Sequence, residues 1–360
     1  MKIGYSFWGF LADIKMNKGK KVSTPDGNAF YSWSIIHALL MSGHKVYRMM
    51  SNRDEEAVEK FGKVVFSSFA KEKRYNAYKS MIDEWPDDLD VLLMEWRFPI
   101  LGRNCTPYED RHTGFFEYQP DLDLQNAMIE KYANTKTKII IFDLDYKITE
   151  EDEKKLNPYC ILETSNKPKN TSSKRILVDI PFDFEEMNTF EIRPADPIRH
   201  IVYVGNRYER DRIVNEYLAP LNLNIHLYGN WLEGGRDSFD RWPKFIYHDR
   251  ISLIDFRDAY RNACATIILA KDEYLRSGFM TARILESIFF GTIPIGLNVF
   301  YKIEKYLPEY LIIKEADETR KIVNKSMFDF EWRKKEITKL RKNLEIMDCR
   351  NFVKTIEEII

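Results

Sequence analysis

Short apolar runs alternate with longer stretches of helical spacing through most of the chain. Residues 2–7 predict a strand, 28–41 a helix closed by Gly43, and 45–50 the next strand. Residues 91–94 and 138–142 are apolar throughout and flanked by polar positions, as in strands buried on both faces of a sheet. Helical spacing over 124–133 separates them, so the first half predicts a parallel sheet with crossover helices. The alternation weakens at 163–175 (ETSNKPKNTSSKR), whose Ser, Thr, Asn and Pro predict a loop, and the stretch from Pro181 to Pro197 reads as a linker. A second series follows. Strands are expected at 200–204, 224–228, 265–270 and 293–297, and helices at 207–218, 252–262, 279–290 and from about 331 onward.

The expected fold class is therefore α/β, with two Rossmann-like doubly wound domains facing a central cleft. Residues 1–180 would form the first domain, completed by a C-terminal helix at about 335–360 packing back on it, and 190–334 the second. In such sheets ligands bind outside the carboxyl ends of the strands, so polar residues just past strand ends are the ones to weigh.

Composition narrows the function classes. The 360 residues are 44% hydrophobic with a formal net charge of −1, so a globally basic nucleic-acid binder is not indicated and any anion site must be local. Cys105, Cys160, Cys264 and Cys349 are scattered without metal-ligand spacing, which argues against structural zinc or a disulfide framework and fits a cytoplasmic location. The start MKIGYSFWGF lacks signal-peptide form, and no 18-residue apolar run predicts a membrane span.

The segment RSGFMTARILESIFFGTIPIG, 276–296, sets Arg283 and Glu286 three residues apart inside an apolar run. At that spacing they share one helical face. An arginine near a helix start suits phosphate, and a carboxylate one turn on can accept hydrogen bonds from a ribose diol. An intrahelical ion pair at a solvated edge is the ordinary alternative. The continuation E-x4-G-x2-P-I through Gly291 and Pro294 favours the nucleotide reading. Here the sequence resembles the nucleotide-sugar domain of GT-B glycosyltransferases, in which a glutamate on this helix holds the ribose.

Within that fold the chain is similar to the T-even bacteriophage DNA β-glucosyltransferases, best over about 199–325, with a second patch at 122–147. IVYVGNRYERDRI resembles that family's strand–glycine–turn with two diphosphate arginines. Gly205 is its glycine, Arg212 stands at the spacing of the second arginine, and Arg207 or Arg210 substitutes for the first. In DEYLRSGFMTARILE the resemblance implies a uracil-side role for Tyr274, a diphosphate role for Arg283 and a ribose role for Glu286, with Tyr274 one residue out of step. In KIIIFDLDYK it sets Asp145 at the catalytic base. Asp143 and Glu95, both at predicted strand ends, are the other candidates for that base, and for Glu95 a surface carboxylate is an equal reading. Asp143 and Asp145 also spell the DxD of the other large glycosyltransferase fold, but the second α/β domain and its E-x4-G-x2-P outweigh so short a motif.

The chemistry suits these residues without the resemblance. A carboxylate takes the acceptor's hydroxyl proton as oxygen attacks the anomeric carbon, and cations stabilise the departing diphosphate. The resemblance implies an inverting, UDP-sugar-dependent enzyme, a monomer acting on double-stranded DNA with hydroxymethylated pyrimidines, in a bacterial host's cytoplasm, protecting phage DNA from host nucleases. Glucose, arabinose and N-acetylglucosamine all remain open as the sugar, and a divalent metal is compatible but not required. The alternative is a GT-B enzyme acting on a bacterial glycan, protein or small molecule. A non-enzymatic nucleotide- or DNA-binding protein is the third reading. For a DNA acceptor the candidates are Lys18 and Lys20 in the basic stretch KMNKGKK, Asp26 before the first helix, and Trp96, Arg97, Arg103 and Arg111 after the 91–94 strand. Against them, lysine-rich loops are usually just solvated.

Overall fold

The computed structural model describes residues 1–6, 14–17, 20–23, 29–49, 80–96, 119–144, 146–232, 237–249, 251 and 253–360. The chain divides into two compact units, 1–13 with 25–181 and 349–360, and 14–24 with 182–348. Each has a parallel six-stranded sheet with helices.

In the first unit the strands are β1 (Lys2–Ser6), β4 (Lys45–Arg48), β5 (Val91–Glu95), β6 (Lys138–Asp143), β7 (Cys160–Glu163) and β8 (Arg175–Leu177). They lie in the order β4-β1-β5-β6-β7-β8, all pairs parallel. The strand order reverses at β1, so its switch point lies between β1 and β5. β5 is buried along its whole length, which is why its sequence is continuously apolar rather than alternating. The polar 163–175 stretch leads directly into a strand, β8, that composition concealed. Arg175 there pairs with the fully buried carboxylates of Glu153 and Glu163, so a charged residue enters the interior with its partners.

The unit is completed by the helix Cys349–Ile359, which packs on the helix Ala29–Met41. Its buried residues Cys349, Phe352, Val353 and Ile356 form one helical stripe. Phe352 meets Phe142 of β6 with ring centroids 4.9 Å apart. The return to this unit thus begins at 349, later than the expected 335. The preceding helix Phe330–Asn343 stays with the second unit, because its buried Arg333 and Arg341 are spent there on backbone carbonyls.

The second unit holds β9 (Ile201–Val204), β10 (Ile225–Tyr228), β11 (Ile246–His248), β12 (Ala265–Ile267), β13 (Ile293–Leu297) and β14 (Ile312–Ile313). Their order is β11-β10-β9-β12-β13-β14. Counted from β9 this is the 3-2-1-4-5-6 arrangement, and the switch point falls between β9 and β12. An antiparallel hairpin of β2 (Ile14–Asn17) and β3 (Lys20–Ser23) groups with this unit. The expected helix at 279–290 is shorter, Arg283–Phe289, and a separate helix, Asp272–Ser277, precedes it. Gly278 is the reason: at φ 63° it caps the earlier helix in the left-handed region, which glycine adopts without penalty. Arg283 is consequently the first residue of its helix.

Candidate functional site

At the switch point of the second sheet, β9 ends at Val204 and Gly205 turns the chain. The Arg283 guanidinium lies against that turn. Its Nε donates to the Val204 carbonyl at 3.0 Å, and its plane stands 5.2 Å from the Tyr203 ring. A Cβ on Gly205 would sit 2.9 Å from the Arg283 Cζ, so a larger residue there would push the guanidinium from this place. The Trp231 indole donates to the Gly205 carbonyl at 2.7 Å and fixes the turn from the other side. Burial alone would lower the Arg283 pKa, but Tyr203 and Glu286, with Tyr260 and Tyr274, hold it above the usual value.

Arg210 joins this cluster. It is buried, and one terminal nitrogen donates to the Asn206 and Tyr208 carbonyls at 3.1 and 2.8 Å. Its Nε has no hydrogen-bond partner, nor do the buried hydroxyls of Tyr203 and Thr281. Burial lowers the Arg210 pKa and the neighbouring Arg283 lowers it further, opposed by Tyr203, Tyr274 and Glu209. Two buried guanidiniums that repel one another, with the Arg210 Nε unmet, make a site whose electrostatics call for an anion. Glu286, also buried, lies one turn along from Arg283 and faces Tyr260, whose pKa is raised by burial and then by that carboxylate. Tyr274 is buried against Phe279, centroids 4.6 Å apart.

The three arginines of the 207–212 turn therefore differ. Arg207 has its fork filled by Asp211, Asp237 and Ser238 and lies 5.1 Å from the Trp242 ring, so its charge is already matched. Of Arg207 and Arg210, it is Arg210 whose charge is opposed by that of Arg283. Arg212 is half-exposed and paired with Asp272 and Glu216. Tyr203 and Trp231 were hidden in the sequence, because an aromatic residue in an apolar strand reads as core. The spacing of Tyr203 two residues before Gly205 was the only available signal.

In the first unit Glu95 ends β5 at the switch point, buried, and its Oε1 accepts from Tyr5 at 2.5 Å and Ser32 at 2.8 Å. Asp143 ends β6 with no exposure. Its carboxylate accepts from the backbone N–H of Lys147 at 2.7 Å and of Ile148 at 3.3 Å, and Lys169 stands 3.5 Å away. Lys169 also donates to the Tyr146 and Ile148 carbonyls. Asp143 thus organises the turn after β6, and burial pushes its pKa up to about 6 against the pull of Lys169 and those N–H groups. Trp96, expected to face an acceptor, is a correction. Its side chain is completely buried in the core with Leu92, Met94, Met128 and Ile141, because the Trp96 backbone N–H donates to the Phe142 carbonyl at 2.9 Å and carries the β5 path on into the interior. Asp26, Lys18, Arg97, Arg103, Arg111 and Asp145 lie outside the described residues, and Lys20 is described only as part of β3. Among the described residues no three His, Cys, Asp or Glu side chains are grouped to hold a metal ion, and no helix is long and apolar enough to cross a membrane.

No family model matches the chain, and no curated protein sequence matches it. Solved structures do. T4 phage β-glucosyltransferase in complex with UDP-glucose superposes with a TM-score of 0.60 at 15% identity, covering 99% of both chains. The same T4 phage enzyme with UDP and Mn2+ gives 0.61 at 16% identity, again over 99% of both chains. Sucrose-phosphate synthase from Thermosynechococcus elongatus gives 0.54 at 11% identity over 99% of this chain and 97% of that one. The fold is that of the GT-B glycosyltransferases.

Proposed function

We propose that the protein is a glycosyltransferase that moves a sugar from a UDP-sugar to a hydroxyl group. The observation that carries this reading is the buried pair Arg210 and Arg283, with Glu286 one turn on, at the switch point of a sheet in the 3-2-1-4-5-6 order. A diphosphate offers these guanidiniums paired acceptor oxygens, and a ribose offers Glu286 a diol. Gly205 keeps the turn open to Arg283, Arg212 lies on the same turn, and Tyr274 is the proposed uracil-side residue. A fold shared with enzymes solved with UDP-glucose and with UDP supports the choice of donor.

The reaction needs one base. The acceptor oxygen attacks the anomeric carbon, the carbon–oxygen bond to the diphosphate breaks, and the hydroxyl proton passes to a carboxylate. Asp145 is the proposed base. Asp143 serves better as the organiser of the turn beside it, and Glu95 is the remaining candidate. Cationic side chains lower the cost of charge on the leaving diphosphate. A divalent metal bound to the diphosphate would add to this and is not required by the residues named.

The proposed acceptor is the hydroxyl of a hydroxymethylated pyrimidine in double-stranded DNA. In support, the fold is shared with a β-glucosyltransferase described as a DNA modifying enzyme, with a TM-score of 0.61 at 15% identity. The role that follows is modification of phage DNA against host nucleases. Incubation with a panel of UDP-sugars and hydroxymethylcytosine or hydroxymethyluracil DNA, followed by nucleoside mass spectrometry, tests it. A glycosylated nucleoside is expected with at least one donor. Donor hydrolysis or transfer to small hydroxyl acceptors, with DNA untouched, would replace the DNA reading with that of a glycan or small-molecule enzyme. Arg283→Ala should lower turnover by about 100-fold or more, since an interaction with developing charge is worth roughly 3 kcal/mol, and Glu286→Ala, which removes a ribose contact, should raise the KM for the donor.

A further inference from the structure

Two ion pairs of opposite sense join the segment after β9 to the segment after β12. Arg212 grips Asp272 with two nitrogens, Nε to Oδ1 at 3.0 Å and Nη2 to Oδ1 at 2.6 Å. Lys271, one residue before Asp272, pairs with Glu209 at 3.6 Å. The first pair is half-exposed and Arg212 also touches Glu216 at 2.9 Å, so the contacts are solvated and cheap to open. Glu209 is held at φ 52°, in the left-handed region that a glutamate seldom adopts. The chain accepts that conformation where Glu209 reaches Lys271.

The placement gives these pairs their meaning. β9 and β12 flank the switch point, and the two bridged segments are the ones that leave it. Lys271 also stands 5.6 Å from the Tyr274 ring. Glu209 acts on Arg210, and Asp272 on Arg212, so each carboxylate of the strap serves a cation of the turn that the proposed diphosphate would use.

We propose that Asp272 and Glu209 form an acidic strap between the segments that leave this switch point, and that Asp272 competes with the donor's diphosphate for Arg212. The inference rests on the nucleotide reading above and adds to it a residue that opposes binding. In the free protein Asp272 neutralises Arg212. When the diphosphate arrives, Arg212 exchanges one anion for another, and Asp272 is released to solvent. The strap lowers affinity for nucleotide and favours departure of UDP after transfer, a step that limits many enzymes of this kind of cycle.

The sign of the effect makes the test sharp, because loss of a purely structural ion pair weakens a site whereas loss of a competitor strengthens it. UDP affinity is measured by calorimetry for the wild-type protein, Asp272→Asn, Arg212→Gln and the double variant. Asp272→Asn should bind UDP about 3-fold more tightly, the scale of one exposed ion pair. Arg212→Gln should bind more weakly, and the double variant should match Arg212→Gln, since the competition is for that arginine. The gain should shrink as salt rises. Unchanged or weaker binding by Asp272→Asn, while the wild type binds UDP, overturns the strap and leaves the nucleotide reading standing. If the wild type does not bind UDP, both fall.

Discussion

At the scale of single residues, Asp143 shows how burial sets chemistry. Its carboxyl is fully enclosed and its pKa is pushed up to about 6 by that burial. In the unfolded chain an aspartate titrates near 3.9. Between those values the folded protein holds a proton that the unfolded chain has lost, so folding is progressively disfavoured as pH rises from about 4 to about 6. The cost of ionising Asp143 in place reaches about 3 kcal/mol at most and is constant above that window. Asp143→Asn removes the titration. Chemical denaturation of both proteins at stepped pH should show wild-type stability falling relative to the variant between about pH 4 and 6, with a flat difference above. A difference that is flat throughout would mean the carboxyl is not held as described. Residue-scale reading from sequence placed Arg283 and Glu286 one turn apart on a helix, as their spacing predicts, and that is how they stand in Arg283–Phe289. It misjudged Trp96, because a tryptophan followed by an arginine looks like a surface loop, and only the continued β5 path shows that it enters the core.

At the scale of elements, the helix that carries Arg283 and Glu286 has only seven residues and so little stability of its own. Its end is held by two buried arginines from the helix Phe330–Asn343. Arg341 donates to the carbonyls of Phe289 at 2.9 Å and Phe190 at 3.0 Å, and Arg333 donates to those of Gly291 at 2.5 Å and Ala263 at 2.7 Å. Burial lowers both pKa values to about 10. Positive charge at a helix C-terminus is favourable, and here it replaces the capping that Phe290 does not supply by its side chain. Arg341→Met leaves those carbonyls without a donor and should cost about 2–3 kcal/mol, read as a lower denaturation midpoint at unchanged slope. Nothing in the charged, amphipathic sequence after 331 announces this. Arginines in such a helix read as its solvated face, and their burial is visible only once the carbonyls they meet are in place. The strands were more legible, because continuous apolar runs are what a sheet covered on both faces requires. β11 and β14 escaped because their three and two residues are too short to form a run.

At the scale of the whole molecule, the two-sheet plan was readable from the alternation of strand and helix, and the order of strands was not, since no local signal states which strand lies beside which. The chain returns to its first unit by a single amphipathic helix. The apolar stripe Cys349, Phe352, Val353 and Ile356 is its docking face, and Lys138 and Tyr159 hold the last carbonyls, of Ile360 and Ile359, at 2.6 and 3.0 Å. Removing 349–360 uncovers side chains worth on the order of 6 kcal/mol together, comparable to the whole stability of a domain. Hydrogen exchange on the truncated chain should show β1, β5 and β6 deprotected while β9, β12 and β13 stay protected. Equal protection in both sheets would show that the helix is an accessory.

That same helix has a consequence for how the protein is made. Translation delivers the strands of the first sheet early and the segment that seals them only after every residue of the second unit has been added. While the ribosome works through 182–348, the newborn first sheet waits with one helix uncovered, and the later-made unit is the first whose parts are all present. The order of completion is thus the reverse of the order of synthesis. Emergence of 349–360, rather than of the first 181 residues, is the moment at which the leading half can finish folding.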